Sequence, residues 1–210
     1  MSILKLAPDY RQPKGLHFAF DSIRLAQAAP RALLNGRAAD LGAGSGVVGL
    51  EALNQGRLQG LREMVFLERE LAFSDSLAAN LTLAQKSLKT RLRLVLADLR
   101  EVTPTEIGGL LDYALFNPPW REPSKRGSPI PAKRAMRESL FGDLATLLTA
   151  AAALIKPGGG LTLSWPGAAL ARLMTALALV PQLKLSWLKT YRKAGSRFTL
   201  LLVGLIKSFN

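Results

Sequence analysis

The chain has 210 residues, no cysteine, one histidine and a formal net charge of +13. This length suits one domain with a sizeable core. The lack of cysteine excludes disulfides, thiolate nucleophiles and cysteine-based zinc sites, and the single histidine, His17, excludes a multi-histidine metal site. Residues 1–10 carry no apolar signal segment, and the longest strongly apolar stretch, residues 144–155, is too short to span a bilayer. We therefore expect a soluble, cytoplasmic protein that binds no metal or membrane.

The positive charge is unevenly distributed along the chain. Residues 144–210 contain no Asp or Glu but eight Lys or Arg. A second basic cluster lies just before this segment and comprises Arg121, Lys125, Arg126, Lys133, Arg134 and Arg137. Basic clusters of this kind favour a polyanionic substrate.

Strands and helices are predicted to alternate in the first half of the chain. Residues 1–20 read as an irregular arm, followed by a short helix that Asp21 caps and Pro30 ends. Apolar runs predict strands, and amphipathic spacing predicts helices between them. The predicted strands are residues 37–41, 64–67, 92–97 and 111–116, and the predicted helices are residues 21–29, 47–55 and 71–85.

The second half continues the alternation and then changes it. Residues 121–133 lack periodicity and read as a loop. A long helix is predicted over residues 135–155, ended by residues 156–160, and a second helix over residues 167–179. Strands are predicted over residues 161–165, 184–191 and 197–206, the last two joined by a turn at residues 193–196. The pattern predicts one α/β domain, residues 1–210, with a mostly parallel doubly wound sheet and a C-terminal antiparallel hairpin.

A glycine-rich loop follows the first predicted strand, in the run Asp40-Leu41-Gly42-Ala43-Gly44-Ser45-Gly46. Ligands of doubly wound sheets lie at the carboxyl ends of the strands, where glycines let the backbone approach them. Glu68 ends the second strand, where a carboxylate accepts the ribose hydroxyls of a nucleoside cofactor. Asp98 ends the third strand and is a candidate for the adenine amino group. Asp40 is a candidate for orienting the loop or the cofactor's ammonium, or for accepting backbone hydrogen bonds alone.

The run Asn117-Pro118-Pro119-Trp120 follows the fourth predicted strand. Consecutive prolines end the strand and force a turn at the same edge of the sheet. A planar amino nitrogen is a poor nucleophile, and two acceptors that hold its N–H groups can localise its lone pair. The Asn117 side-chain carbonyl and the Pro118 backbone carbonyl supply such acceptors, and Trp120 supplies a stacking face. Catalysis there would be in-line positioning without a strong general base.

With these motifs the sequence resembles the amino-methyltransferases that carry an Asn-Pro-Pro-aromatic motif in a Rossmann-like, seven-stranded class I fold. Within that group it is similar to the bacterial tRNA(Val) adenine-N6 methyltransferase family. The leader, residues 12–21, resembles that family's leader, although Leu16 and His17 stand where the family often has Tyr and Arg. The basic loop with Arg134 and Arg137 and the hairpin at residues 192–195 are similar in placement.

The resemblance implies S-adenosyl-L-methionine as the cofactor and the N6 of an adenine near a tRNA anticodon as the target. It implies RNA, and tRNA in particular, as the partner of a monomer or weak dimer. The implied catalytic residues are Asn117, Pro118, Pro119 and Trp120. The implied cofactor-binding residues are Phe20, Asp21, Asp40, Gly42, Ala43, Gly44, Gly46, Glu68, Asp98, Leu99 and Asn117. The implied RNA-binding residues are Arg121, Lys125, Arg126, Lys133, Arg134, Arg137, Lys189, Arg192 and Lys193.

Other functions remain open at this point. Glutamine-N5 methylation of a release factor uses the same Asn-Pro-Pro turn, but the short region before the first strand and the basic charge count against it. Guanine-N2 methylation of ribosomal RNA is a second alternative. An RNA-binding module that retains the fold without activity is a third, and the intact glycine loop argues against it. A nicotinamide oxidoreductase is the fourth alternative, but the Asn-Pro-Pro-Trp turn would have no role in such an enzyme.

Overall fold

Seven strands form one sheet in the computed structural model, which describes residues 10–14, 20–118, 144–192, 195 and 198–209. The sheet order is β3-β2-β1-β4-β5-β7-β6. In chain order the strands are β1 Arg37–Leu41, β2 Glu63–Glu68, β3 Arg91–Leu96, β4 Leu111–Phe116, β5 Ile155–Pro166, β6 Leu183–Arg192 and β7 Thr199–Lys207.

Strands β1 to β5 pair in parallel, and β7 runs antiparallel to both β5 and β6. The predicted mostly parallel sheet with a C-terminal antiparallel hairpin is confirmed. The chain leaves β1 toward β2 and β3 and then returns to β4 on the other side of β1. This reversal creates a switch point between β1 and β4, where doubly wound sheets bind ligands.

Five α-helices are described: α1 Phe20–Ala28, α2 Val47–Asn54, α3 Ser74–Gln85, α4 Leu144–Leu154 and α5 Leu170–Ala178. They divide between two apolar cores. Leu148 of α4 and Leu173 of α5 belong to one core, whereas Leu25, Leu50 and Leu77 of α1, α2 and α3 belong to the other. The sheet strands contribute alternate residues to the two cores, as both faces of a covered parallel sheet require.

Many predicted boundaries differ from the structure, and three of these differences concern helices α1, α3 and α4. Helix α1 begins at Phe20, so Asp21 lies in the first turn and is not the cap. An acid in the first turn is still favourable because it faces the positive end of the helix dipole. The predicted helix over residues 71–85 opens with a 3-10 turn, Leu71–Phe73, before α3. The described part of the helix predicted over residues 135–155 ends at Leu154, and residues 135–143 lie outside the described ranges.

The largest difference concerns residues 156–160, predicted as a helix end. Strand β5 already begins at Ile155, which pairs with Leu111, and the pairing resumes with Gly160 opposite Tyr113. The residues between them form an irregularity in the ladder, where Gly158 has a φ of +77°. Lys156 Nζ donates to Asp112 Oδ1 over 2.6 Å at this point. Glycine therefore permits a bulge within the strand here and does not end a helix.

Within the described parts of the chain, no helix is long and apolar enough to cross a membrane.

Candidate functional site

The strand register brings the predicted motifs to one edge of the sheet. Leu41 of β1 pairs with Leu67 of β2 and with Phe116 of β4. The next residues, Gly42, Glu68 and Asn117, therefore lie side by side at the carboxyl ends of three adjacent strands. Neighbouring strands are about 4.8 Å apart, so a single small molecule can contact all three ends.

The glycine loop adopts a backbone that favours glycine at three alternating positions. Gly42, Gly44 and Gly46 have φ values of +67°, +55° and +82°. A Cβ on Gly46 would also lie 2.8 Å from the Leu77 side chain. The loop thus needs glycine for its conformation, and Gly46 leads directly into the N-terminus of α2. Ala43, between the first two glycines, is buried in the core beneath the loop.

Asp40 lies beneath the glycine loop and is 1% exposed. Its Oδ2 accepts a hydrogen bond of 2.8 Å from the backbone N–H of Gly49 in α2. Its Oδ1 is buried with no hydrogen-bond partner among the described residues. Burial raises the pKa of Asp40 to about 8, the Gly49 N–H opposes the rise, and the negative charge of Glu68 adds to it. The carboxyl group therefore has one oxygen bonded to the protein and one oxygen to which no described residue is hydrogen-bonded.

Glu68 holds the glycine loop against the end of β2. Its Oε2 accepts from the Gly44 N–H over 2.6 Å, and its Oε1 accepts from the N–H groups of Arg69 and Glu70 over 2.8 and 2.7 Å. Burial raises the pKa of Glu68, while these three backbone donors act in the opposite direction. A carboxylate has about four lone-pair sites, so the ribose-binding role predicted for Glu68 needs the remaining one.

Asn117 is oriented by side chains from α1 and β5. Its Oδ1 accepts a hydrogen bond from the Ser164 hydroxyl. Its Nδ2 donates to the Ser22 hydroxyl over 3.3 Å and to Asp21 Oδ2 over 3.5 Å. Asp21 Oδ1 is buried and has no partner in the described ranges. The amide is thus held in one orientation, and one Oδ1 lone pair stays available to a ligand.

Asp98 lies at the end of β3 but is engaged by two arginines. Arg69 Nη1 donates to Asp98 Oδ2 over 3.0 Å, and Arg100 donates to Asp98 Oδ1 through both its backbone N–H and its Nε, each over 2.9 Å. The Arg100 side chain, then the Arg100 backbone N–H and the Arg69 side chain, hold the pKa of Asp98 well below its ordinary value, although burial opposes them. Asp98 stays ionised, and an adenine amino group would share it with these guanidinium groups. Leu99, which follows, is buried.

The remaining predicted residues lie at the same edge or outside the described ranges. Phe20 is at the start of α1, beside Asp21, and Pro118 is buried after Asn117. Lys189 and Arg192 lie near the end of β6, which runs parallel to β5 and so ends at the same edge of the sheet. The predicted site residues outside the described ranges are Pro119, Trp120, Arg121, Lys125, Arg126, Lys133, Arg134, Arg137 and Lys193.

Three residues that hold the site together were missed by the sequence prediction: Ser22, Arg69 and Ser164. Ser164 had a signal, because a serine in the apolar run at residues 161–165 is unusual for a strand buried on both faces. No signal in the sequence pointed to Ser22 or Arg69, because their roles depend on contacts between segments that are distant along the chain. Among the described residues, no cluster of three or more His, Asp or Glu side chains is arranged to hold a metal ion.

Comparison with known proteins identifies the fold. No protein-family model and no curated protein sequence matches the chain. TrmN from Thermus thermophilus is 24% identical, with a TM-score of 0.60 over 89% of this chain and 47% of that chain. This chain thus spans about half the length of TrmN.

Two further solved structures show the same fold. Precorrin-6y C5,15-methyltransferase from Geobacter metallireducens is 18% identical, with a TM-score of 0.56 over 95% of this chain and 94% of that chain. TYW2 from P. horikoshii, solved in complex with MeSAdo, is 13% identical, with a TM-score of 0.55 over 93% of this chain and 66% of that chain. The chain has the Rossmann-like fold that these three proteins share. Since a precorrin methyltransferase is among them, the fold leaves the substrate open.

Proposed function

We propose that this protein is an S-adenosyl-L-methionine-dependent methyltransferase that modifies the N6 of adenine in RNA, with a tRNA adenine near the anticodon as the target. The observation that carries the proposal is the Asn117 amide, which is held in one orientation at the switch point beside the glycine loop. Asn117 is also the first residue of the Asn-Pro-Pro-Trp run of the sequence. The precorrin methyltransferase of the same fold supports the reaction class, and the charge of +13 supports an RNA substrate.

The residues present fit this cofactor. Asp21 Oδ1 and Asp40 Oδ1 are buried carboxyl oxygens without a hydrogen-bond partner among the described residues. A cationic ligand beside them would favour the ionised form of Asp40. The three positive-φ glycines keep the loop backbone open to close approach. A ribose hydroxyl would donate to Glu68 Oε2, the oxygen that also accepts from the Gly44 N–H, because Oε1 already accepts from two backbone N–H groups. S-adenosyl-L-methionine, when bound, would supply an electrophilic methyl group on its sulfonium.

In this proposal Asn117 binds and orients the target amino group. The free lone pair of Asn117 Oδ1 and the Pro118 carbonyl accept the two N–H groups, and Trp120 stacks on the base. Ser164 and Ser22 prevent the Asn117 amide from rotating, so the acceptor is in place before the base arrives. The base must leave its stack to reach this edge, which is easiest in an RNA loop.

The proposal is tested by incubating the protein with methyl-labelled S-adenosyl-L-methionine and unmodified total tRNA, followed by digestion and mass spectrometry of the nucleosides. Label in N6-methyladenosine is the expected result. Label in another nucleoside would retain the enzyme and refute the adenine target. Label only in protein, with release factor as the added substrate, would refute RNA as the substrate.

Asn117→Ala tests the residue that carries the proposal. We expect turnover to fall by at least about 100-fold, because an acceptor that acts in the transition state is lost. Cofactor affinity, measured by calorimetry, should change little. Activity near that of the wild type would refute the role of Asn117.

A further inference from the structure

A row of alternating aromatic and cationic side chains runs from the start of α1 onto the edge strand β6. The Arg24 guanidinium lies 4.8 Å from the centroid of the Phe20 ring and 5.1 Å from that of the Tyr191 ring. Lys189 Nζ lies 5.4 Å from the centroid of the Trp187 ring. We call these five residues, Phe20, Arg24, Tyr191, Lys189 and Trp187, the aromatic–cation strip.

The sheet register places the strip on one face. Trp187, Lys189 and Tyr191 pair with Gly204, Leu202 and Leu200 of β7. Leu200 and Leu202 are buried in the core that includes α1, so their partners on β6 face the same side. The Trp187 ring lies directly on Gly204, where a Cβ would come within 2.2 Å of it. Gly204 thus makes room for a flat ring.

The strip leads to the candidate active site. Phe20 directly precedes Asp21, which contacts the Asn117 amide. Lys189 lies level with Ser164, because both pair with Leu202, and Ser164 donates to Asn117. Three strand spacings separate Lys189 from Asn117 along this row, about 14 Å, or roughly two extended nucleotides.

Parts of the strip are exposed to solvent, and its cations have charge available for a ligand. Phe20 is 41% exposed, and Lys189 is exposed. Arg24, Trp187 and Tyr191 are half-buried, and the two rings pack partly against the core. Arg24 Nη1 donates to Gln27 Oε1 over 3.1 Å, but Arg24 has no carboxylate partner among the described residues. The whole segment from residue 144 onward lacks Asp and Glu, so no acid of that segment neutralises the cations.

We infer that the aromatic–cation strip binds the unpaired nucleotides that flank the target base in the RNA substrate. Phosphates would lie against Arg24 and Lys189, and bases would stack on Phe20 and on the accessible parts of the half-buried Tyr191 and Trp187 rings. Alternating cations and rings suit single-stranded RNA, because a single strand offers unstacked bases as well as a charged backbone. This inference rests on the proposed function and adds a substrate-binding surface to it.

The experiment measures binding of the full-length protein to a fluorescein-labelled unpaired RNA oligonucleotide by anisotropy. Lys189→Gln and Tyr191→Leu should each weaken binding by at least about fivefold, because a cation or a stacking ring is lost. Tyr191→Phe keeps the ring and should bind like the wild type. Lys184→Gln is the matched control, since Lys184 is an exposed lysine on the same strand but near its other end, level with Ile206. All four variants should retain cofactor affinity.

The outcomes separate the strip from the proposed function. If the wild type binds RNA and the Lys189→Gln and Tyr191→Leu variants bind equally well, the strip is refuted while the proposed function stands. The affinities of these variants for duplex RNA and for polyglutamate are measured as well. If they fall by the same factor as the affinity for unpaired RNA, the strip is a general anion site and base stacking is refuted. If the wild type neither binds nor methylates RNA, the proposed function fails together with the inference.

Discussion

Asn117 shows how one side chain acquires a fixed orientation from several elements. Its oxygen is held from β5 by Ser164, and its nitrogen is held from α1 by Ser22 and Asp21. An unrestrained amide would rotate and would present its nitrogen to a ligand as readily as its oxygen. The two-sided restraint selects the oxygen as the acceptor, which is the group that the proposed chemistry needs.

Ser164→Ala should therefore lower the turnover number by about tenfold, because the amide loses one of its restraints. Cofactor affinity should stay unchanged, since Ser164 contacts Asn117 and not the glycine loop. Thr162→Val is the matched control: Thr162 is equally buried on the same strand face, but its hydroxyl pairs with the Tyr113 hydroxyl. Steady-state kinetics of both variants measure the effect. Equal losses in both would show a packing defect and no positioning role.

Asp40 makes stability depend on pH. Burial raises the pKa of Asp40 to about 8, whereas an unfolded Asp titrates near the ordinary value of 3.8. Between these values the native state holds a proton that the unfolded state has lost, so stability falls as pH rises from about 4 to about 8, by at most about 1.4 kcal/mol per pH unit for this one group. The raised pKa of Glu68 adds a slope of the same sign.

Urea unfolding of the cofactor-free protein at several pH values measures this slope. Asp40→Asn should flatten it, because asparagine mimics the protonated carboxyl and cannot ionise. Asp75→Asn is the control, since Asp75 is an exposed acid in the first turn of α3. If wild type and Asp40→Asn show the same slope, Asp40 does not titrate in this range.

At the scale of elements, the sequence predicted the strands well where apolar runs are short and bounded. Strands β1 and β4 match their predicted limits, because Gly36 and Gly42 bound the first run and Asn117-Pro118 ends the second. The bulge at the start of β5 was missed, since glycines after a helix also fit a helix end. The contacts around Asn117 join residues 95 and 47 positions apart, and no local pattern reports such pairs.

Arg37 joins three elements at the opposite edge of the sheet. Its side chain donates to Glu63 of β2 through Nε and Nη2, over 2.8 and 2.6 Å. The remaining donors reach the backbone carbonyls of Ile107, Gly109 and Leu110, which precede β4. Arg37 is 4% exposed. This buried, fully bonded guanidinium therefore fixes the start of β1, β2 and β4 together.

Arg37→Met should lower the free energy of unfolding by about 3–5 kcal/mol, because the Glu63 carboxylate stays buried without its main partner. Adding Glu63→Leu should restore part of this loss. Lys156→Met is the control, because the Lys156–Asp112 pair is partly exposed and should contribute only about 0–1 kcal/mol. Chemical denaturation measures all three. A loss at Arg37 no larger than that at Lys156 would show that the pair does not hold the strand starts.

At the scale of the whole molecule, charge and topology place recognition and chemistry on the same side. The carboxyl edge of the sheet carries Asn117 and the cationic end of β6, and the basic run at residues 121–137 follows Asn117 directly in sequence. The structure does not describe that run, so its role in RNA binding remains a prediction from sequence. Charge near the reacting edge would steer a polyanion toward it and make its affinity strongly dependent on salt.

Reversing two charges of this run tests whether it binds RNA. Lys125→Glu combined with Arg126→Glu should weaken tRNA binding by at least about tenfold at moderate salt and reduce the slope of log affinity against log salt, because fewer counterions are released. Cofactor affinity should not change. Lys86→Glu with Lys89→Glu is the matched control, since both lysines are exposed between the end of α3 and the start of β3, at the opposite edge of the sheet. The control alters the net charge by the same amount. If both pairs weaken binding equally, net charge alone governs affinity, and the run after Asn117 is not the RNA site.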